Sequence, residues 1–546
     1  MNIILKAMRH EYSGAQIIAI SSLFIVFVFN YCFLNGVFEA IEPNNLSQWS
    51  FYASVILLLF CLTIIITSIL GGIIFPRTIL AVTVIVSCLL FYATFQYGVI
   101  FDKSMIQNIA ETNSGEASSY LNISFLIYFI LLGLVPSAMI FKIKIKGDLK
   151  SRIKSVLALN LLALIVTASI FTSLYKDYAA VGRNNHNLFK YIVPFAFYDS
   201  GFRYLRDNYF YPPLPFKVLD RSPTINPSNQ GQQNLTIVVV GETARAQNFS
   251  LNGYTRDTNP FLRQIPILSF KQVSSCGTAT AVSVPCMFSR LQRSNYESRV
   301  ASSQDNALDI IQRAGVDVTW VDNNSTCKGV CERVSEIGFD PTQNSPLCNG
   351  DACFDEILIE ELHQQISQQK SADQLFVLHM IGSHGPTYFQ RYPDTFKRFM
   401  PDCPQSDIQN CSAEQLKNTY DNTIAYTDFV LSKVIGVLQQ SNATNKSLLY
   451  ISDHGESLGE NGLYLHGFPY SIAPEEQTHV PMLYWSTDLA NANFKDCMSR
   501  KLNSDFSQDN IFDTLLGLAN VKSSIYQPEM DIFQQCRTTA IEAKNN

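Results

Sequence analysis

Three short stretches of this chain carry residue types suited to chemistry. Leu235-Thr-Ile-Val-Val-Val-Gly-Glu242 runs an apolar, β-branched stretch into a carboxylate. Ser447-Leu-Leu-Tyr-Ile-Ser-Asp453-His454-Gly455 runs a similar stretch into a carboxylate beside an imidazole. Glu242, Asp453 and His454 together offer mixed oxygen and nitrogen ligands, which suits Zn2+ better than Ca2+ or Mg2+, ions that prefer all-oxygen shells. One Asp-His pair at a strand end reads equally well as an ordinary hydrogen bond; three such residues at two strand ends point to a metal. The third stretch, Ser274 to Cys286, is a small-residue loop with hydroxyls at Thr278 and Thr280 that suit a fourth ligand and a nucleophile. Neutral hydroxyls are poor nucleophiles, and a metal makes them usable, as it lowers the pKa of bound water from 15.7 to roughly 7. On spacing alone the loop also fits a polar surface turn.

The elements that must position these residues alternate. Strands are expected at Leu235–Val240, Val316–Val321, Leu375–His379 and Ser447–Ile451, and helices at Ala307–Ala314, Asp355–Gln369 and Leu416–Gln440. This order predicts a large α/β domain with a mostly parallel sheet over residues 234–546. In such folds functional side chains gather beyond the carboxyl ends of strands.

The rest of the chain is of another kind. Of 546 residues only 16% are charged, and they are unevenly spread: 17 fall in residues 1–175, net +3, and 69 in the remainder, net −9. That excludes a wholly soluble enzyme and a nucleic-acid binder, and the apolar content excludes simple disorder. Five apolar runs, near Ile17–Phe38, Phe51–Phe75, Thr78–Phe101, Ser124–Phe141 and Ser155–Tyr175, hold no Asp, Glu, Lys or Arg. Each approaches the roughly 20 helical residues that span a bilayer's hydrocarbon core. Cations mark alternate loops: Lys6 and Arg9, then Arg77, then Lys142, Lys144, Lys146, Lys150, Arg152 and Lys154. With these loops cytoplasmic, everything after Tyr175 lies outside the cytoplasm. Ten of the 13 cysteines fall in that exported part, an even number that reads as a disulfide framework. Closeness in sequence pairs Cys276 with Cys286, Cys327 with Cys331, Cys348 with Cys353 and Cys403 with Cys411, leaving Cys497 with Cys536. A zinc cluster built from Cys327 and Cys331 is the rival reading. Residues 176–233, rich first in aromatics and then in prolines, read as an interfacial linker.

Longer motifs add a family resemblance. They are Gly241-Glu242-Thr-Ala-Arg-Ala-Gln-Asn, Gly253-Tyr254-x-Arg256-x-Thr258-x-Pro260, Cys276-Gly-Thr-x-Thr280-Ala-x-Ser-Val-Pro-Cys-Met287, Asp322-Asn-Asn324-Ser325, Gly382-Ser-His384-Gly-Pro386, and Ser452-Asp-His-Gly-Glu-Ser-Leu-Gly-Glu-Asn461 running to Leu465-His466-Gly467. With them the exported domain resembles the lipid A phosphoethanolamine transferases, including the mobile colistin-resistance enzymes, within the alkaline phosphatase and sulfatase superfamily. The resemblance implies an N-terminal five-helix transmembrane bundle and a C-terminal periplasmic, sulfatase-like α/β domain. It implies an inner-membrane enzyme, expected to be a monomer, that moves phosphoethanolamine from phosphatidylethanolamine to lipid A phosphates and so confers polymyxin resistance. Thr280 is then the nucleophile, forming a phosphoethanolamine-threonine intermediate, and a metal ligand with Glu242, Asp453 and His454 around one tightly bound Zn2+. His384 and His466 match histidines that contact phosphate, hold a second zinc or pass a proton to the leaving group.

A lysine such as Lys328, at a strand end after Asn324 and Ser325, suits neutralisation of phosphate oxygens, and the resemblance supports Ser325 and Lys328 as substrate contacts. Asn108, Thr112 and Glu116 match the family's lipid-donor site; spaced by four, they would share one helix face, although Asn113, Ser114 and Gly115 weaken that helix. After Cys286 the family often carries an acidic residue where this chain has Arg293-Ser-Asn295, which leaves its ethanolamine side unassigned. Competing expectations are transfer to a core sugar or other periplasmic glycan, a sulfatase-type hydrolase, and a non-catalytic metal-binding membrane receptor.

Overall fold

A computed structural model describes residues 11–112, 114–226, 232–368 and 373–545, without the side chains of 71–72, 114–116, 180, 183–184, 186 and 540–545. Lys6 and Arg9 lie outside the described residues. The chain divides into two compact units: one of residues up to Ile106 with Leu121–Arg203, the other of Gln107–Tyr120 with Tyr204–Asn546.

In the first unit, four of the described helices are long and apolar enough to cross a membrane: Leu46–Leu70, Pro76–Tyr97, Ile123–Lys142 and Leu149–Ala179. Their starts carry local signals. The side chains of Asn45, Asn122 and Asp148 accept from Gln48, Phe125 and Ser151 N–H, and Pro76 opens its helix, where its missing N–H costs nothing. The remaining span, expected to be continuous over Ile17–Phe38, is broken into Gly14–Phe29 and Tyr31–Ile41 at an angle of 63°. The cause is local. A π-turn at Ile25–Phe29 leads into Asn30, whose buried amide donates to Ile25 O (3.1 Å) and Val193 O (2.9 Å) and accepts from Val193 N (2.9 Å). The last long helix breaks at Leu174 (φ −122°), and helix resumes past Tyr175 to Asn184. In the loop richest in cations, Lys144–Ile145 pairs with Glu11–Tyr12, and Arg77 Nη2 donates to Ile143 O at 2.7 Å.

The second unit is built on a sheet that, among the described residues, has seven strands: β1 (Asn234–Gly241), β2 (Leu268–Phe270), β3 (Asp317–Asp322), β4 (Ser335–Gly338), β5 (Asp373–His379), β6 (Asn445–Ser452) and β7 (Met482–Ser486). Their order is β2-β7-β6-β1-β5-β3-β4. The pairs β6–β1, β1–β5, β5–β3 and β3–β4 are parallel, and β7 runs antiparallel to both β6 and β2. This is the expected α/β architecture, with an antiparallel edge that the sequence pattern did not announce.

Alternation along the strands serves two faces. Val238, Val240, Leu449 and Ile451 join a core with Val284, Met287 and Phe288 of helix α2 (Thr280–Phe288) and with Ile311, Phe512 and Leu515. Helix α3 (Ala413–Gln440) starts with a capping box at Ser412 and Gln415. Its Tyr420 hydroxyl donates to Thr243 O (2.6 Å) and accepts from Arg245 N (3.0 Å), fixing the turn after β1. Helix α1 (Lys103–Glu111) enters this unit at Gln107.

The disulfides of the described residues are Cys276–Cys286, Cys327–Cys331, Cys348–Cys353 and Cys403–Cys411, the four pairs suggested by closeness in sequence, and Cys497–Cys536, the pair left over.

Candidate active site

Register brings two strand ends together. Gly241 of β1 lies opposite Ser452 of β6, and Asp453 N donates to Gly241 O at 2.9 Å, so Glu242 and Asp453 leave the sheet side by side. Both are fully buried, as is His454. Thr280 opens α2, and its Oγ1 lies 3.2 and 3.1 Å from the two Glu242 carboxylate oxygens and 3.4 Å from His454 Nε2. Thr278, the other candidate hydroxyl, instead donates to Phe468 O.

Each ligand atom is oriented from behind. His454 Nδ1 faces Gly455 O at 2.9 Å; taken as the protonated nitrogen, it leaves the Nε2 lone pair directed at Thr280, Glu242 Oε1 (3.5 Å) and Asp453 Oδ2 (3.3 Å). Asp453 Oδ1 accepts from Thr243 N (3.1 Å) and His454 N (2.7 Å). The Asn324 amide donates to Glu242 Oε2 at 2.8 Å and to Met380 O at 2.9 Å. Gln508 donates to the backbone oxygens of Ser452 (2.8 Å) and Asp453 (2.7 Å). Gly382 has φ +50°, and a Cβ there would stand 2.7 Å from Glu242 O, so the chain can pass this close only without a side chain.

The arrangement fits a cation. Ligand atoms of Glu242, Asp453 and His454 lie within 4.8 Å of one another, and among the described residues Asp453 Oδ2 accepts no hydrogen bond although buried. Burial, and then the neighbouring Asp453 charge, hold Glu242 above the usual carboxylate range. Burial pushes Asp453 up to about 6 despite two backbone donors, and burial followed by nearby His466 pushes His454 down to about 4. Buried, crowded carboxylates beside a neutral imidazole are the chemistry of a metal-ligating set.

A second potential ligand group overlaps the first: His454, Glu456 and His466. His466 Nδ1 lies 2.8 Å from Glu456 Oε2, the Tyr388 hydroxyl donates to Glu456 Oε1, and burial raises Glu456 to about 7. The rings of His454 and His466 are 4.4 Å apart, and those of His384 and His466 5.6 Å. The buried Asp355 carboxylate clamps the His384 loop by accepting from Ile381 N and Gly382 N, each at 2.9 Å. Glu456, Asn324, Asp355 and Gln508 were not singled out from the sequence as site residues. Glu456 and Asn324 stand inside the quoted motifs, but Asp355 and Gln508 carry no local signal.

Lys328 has φ +51°, and its Nζ donates to Ser325 Oγ at 2.8 Å. Asn324, Ser325 and His384 line a cleft of about 250 Å3. Asn108 and Thr112 are joined by the Thr112 hydroxyl, which donates to Asn108 O at 2.7 Å. The single helix face expected for Asn108, Thr112 and Glu116 is not formed: α1 stops at Glu111 and a separate helix begins at Ser114. The Glu116 side chain lies outside the described residues. Arg293 stacks 4.2 Å from the centre of the Tyr470 ring.

Comparison with known proteins agrees with this architecture. A family model described as "Sulfatase" matches residues 234–521, and one described as "Phosphoethanolamine transferase EptA/EptB" matches residues 58–209. Phosphoethanolamine transferase EptA of Escherichia coli (strain K12) is 38% identical over 95% of this chain and 96% of its own length. Phosphatidylethanolamine transferase Mcr-1 of Escherichia coli is 34% identical over 88% of this chain and 90% of its own. The solved structure of the integral membrane protein lipooligosaccharide phosphoethanolamine transferase A from Neisseria meningitidis superposes with a TM-score of 0.91 at 35% identity, covering 96% of this chain and 99% of that one.

The chain belongs to the phosphoethanolamine transferases, with a sulfatase-family domain over residues 234–521.

Proposed function

We propose that this enzyme takes phosphoethanolamine from phosphatidylethanolamine and transfers it to a phosphate of lipid A through a covalent adduct on Thr280. The observation that carries the reading is the Thr280 hydroxyl, held 3.1 Å from Glu242 and 3.4 Å from His454 Nε2 at the first turn of α2. Glu242, Asp453, His454 and Thr280 itself would hold Zn2+, which when bound supplies the positive charge that favours the alkoxide and offsets phosphate charge.

Thr280 Oγ attacks the donor phosphorus, its proton passing to a neighbouring base, and the bond to the diacylglycerol oxygen breaks. In this reading His466, steadied by Glu456, and His384 protonate that leaving oxygen. Lys328 and Ser325 meet phosphate oxygens, where positioning and charge stabilisation do most of the work. In the second half-reaction an oxygen of the lipid A phosphate attacks the same phosphorus and Thr280 leaves. Residues 1–175 would anchor the enzyme in the inner membrane, 176–233 connect along its surface, and 234–546 form the periplasmic catalytic domain. The added ammonium reduces negative charge on the acceptor and so weakens binding of polymyxins.

Mass spectrometry of lipid A from a Gram-negative host expressing the chain or its Thr280→Ala variant tests this. A phosphoethanolamine increment only with the intact threonine is expected. Unmodified lipid A from both, with both folded in the membrane, would overturn the acceptor, and core sugars would be searched next.

A further inference from the structure

The second unit holds a cleft of about 620 Å3 from which the reaction as described uses only Lys328. Its wall includes Lys328 together with Gln107 and Glu111 of α1 and the aromatic rings of Tyr211, Phe216 and Tyr296. Glu111 Oε2 lies 3.9 Å from Lys328 Nζ, beyond hydrogen-bond reach, and this buried oxygen accepts no hydrogen bond among the described residues. The other carboxylates on this wall are bound more closely, Asp207 to Arg206 at 2.8 Å and Glu332 to Arg333 at 3.5 Å. Glu111 is also fixed with respect to the nucleophile. Gln107 Nε2 donates to Glu111 Oε1 at 2.9 Å and to the backbone oxygen of Ala281, the residue after Thr280, at 3.3 Å.

A cation and a loosely paired anion side by side match a ligand carrying the same charges in the opposite order. Phosphoethanolamine is such a ligand: a phosphate and an ammonium separated by two carbons. We infer that Glu111 is the residue that selects the ethanolamine headgroup, its carboxylate taking the ammonium while Lys328 meets the phosphate. The inference rests on the donor assigned above. It assigns the ammonium to Glu111 at the end of α1.

The test uses the full chain in nanodiscs, reading the mass of the Thr280 adduct over time. The donors are phosphatidylethanolamine and phosphatidylpropanol, which keeps the phosphate and chain length but has no charge at the end. For Glu111→Gln we expect KM for phosphatidylethanolamine to rise about 10- to 100-fold, the range of a charge-assisted hydrogen bond. Its kcat should change less than about threefold, and its rate with phosphatidylpropanol should match the unaltered enzyme. Glu111→Asp should recover part of the loss. Equal losses with both donors would mean that Glu111 only steadies Lys328, overturning this inference alone, as would no loss with either. An unaltered enzyme that forms no adduct from phosphatidylethanolamine would overturn the donor assignment and the inference with it.

Discussion

At the scale of single residues, the site is a small set of buried charges whose balance depends on pH. In the cation-free chain Asp453 binds its proton up to about pH 6. A group whose pKa is raised on folding binds more protons folded than unfolded, so this chain loses stability as pH rises from the ordinary carboxylate range through about 6 unless a cation replaces the proton. For the metal the sign is opposite. Retention after dialysis, measured by elemental analysis, should be constant well above pH 6 and fall at least tenfold per pH unit well below it, as protons compete for Asp453 and for the likewise raised Glu242. His454, held down to about 4, adds no competition until lower pH. Asn324→Ala should leave the fold intact yet weaken metal binding about 10- to 100-fold, because its amide orients Glu242 Oε2. Competition with a metal chelator measures that loss. Thr280→Ala should retain metal through the other three ligands while losing on the order of 10^4-fold in rate.

At the scale of elements, what was legible follows from what strands advertise. Strands β1, β3, β5 and β6 are apolar runs buried on both faces, and each ends near a polar residue of the site, so Glu242, Asp453 and His454 stand out. Strand β2 is three residues long and β4 four, and mostly exposed β4 has no apolar run; neither offers periodicity enough to recognise. The Asn30 break was hidden for another reason, since its cause includes Val193, 163 residues away. Asp355 was hidden likewise: it precedes helix Ile357–Ser367 and acts on a loop that follows β5. Replacing Asp355 with Ala removes the acceptor of two backbone N–H groups, that of Gly382 buried and that of Ile381 partly so, and leaves the Asn323 amide only Cys353 O. The expected cost is roughly 2–4 kcal/mol, read as a lower unfolding temperature together with a fall in kcat as the His384 loop loosens.

At the scale of the whole molecule, the two units differ in how they are held. The described free cysteines, Cys32, Cys61 and Cys88, are all in the first unit, and the described disulfides are all in the second. Loop-closure entropy makes those bridges unequal. Cys497–Cys536 spans 39 residues and should contribute about 4 kcal/mol, against about 3 for Cys276–Cys286, which spans 10. A Cys497→Ser/Cys536→Ser double variant should therefore unfold at clearly lower denaturant concentration while its metal content, set elsewhere, stays unchanged. On the proposed function, anchoring would confine the enzyme to the plane of its lipid substrates and raise their effective concentration without any new contact.

The pairing of Gly241 with Ser452 has one further consequence. Strands β1 and β6 are brought together across more than 200 residues of intervening chain, and a slip of one residue would turn Glu242 and Asp453 to opposite sides of the sheet. An ion that needs both carboxylates therefore recognises only the correctly zipped pair. On the proposed metal binding, uptake would act as a proofreader of the fold, stabilising the accurate register over every slipped one.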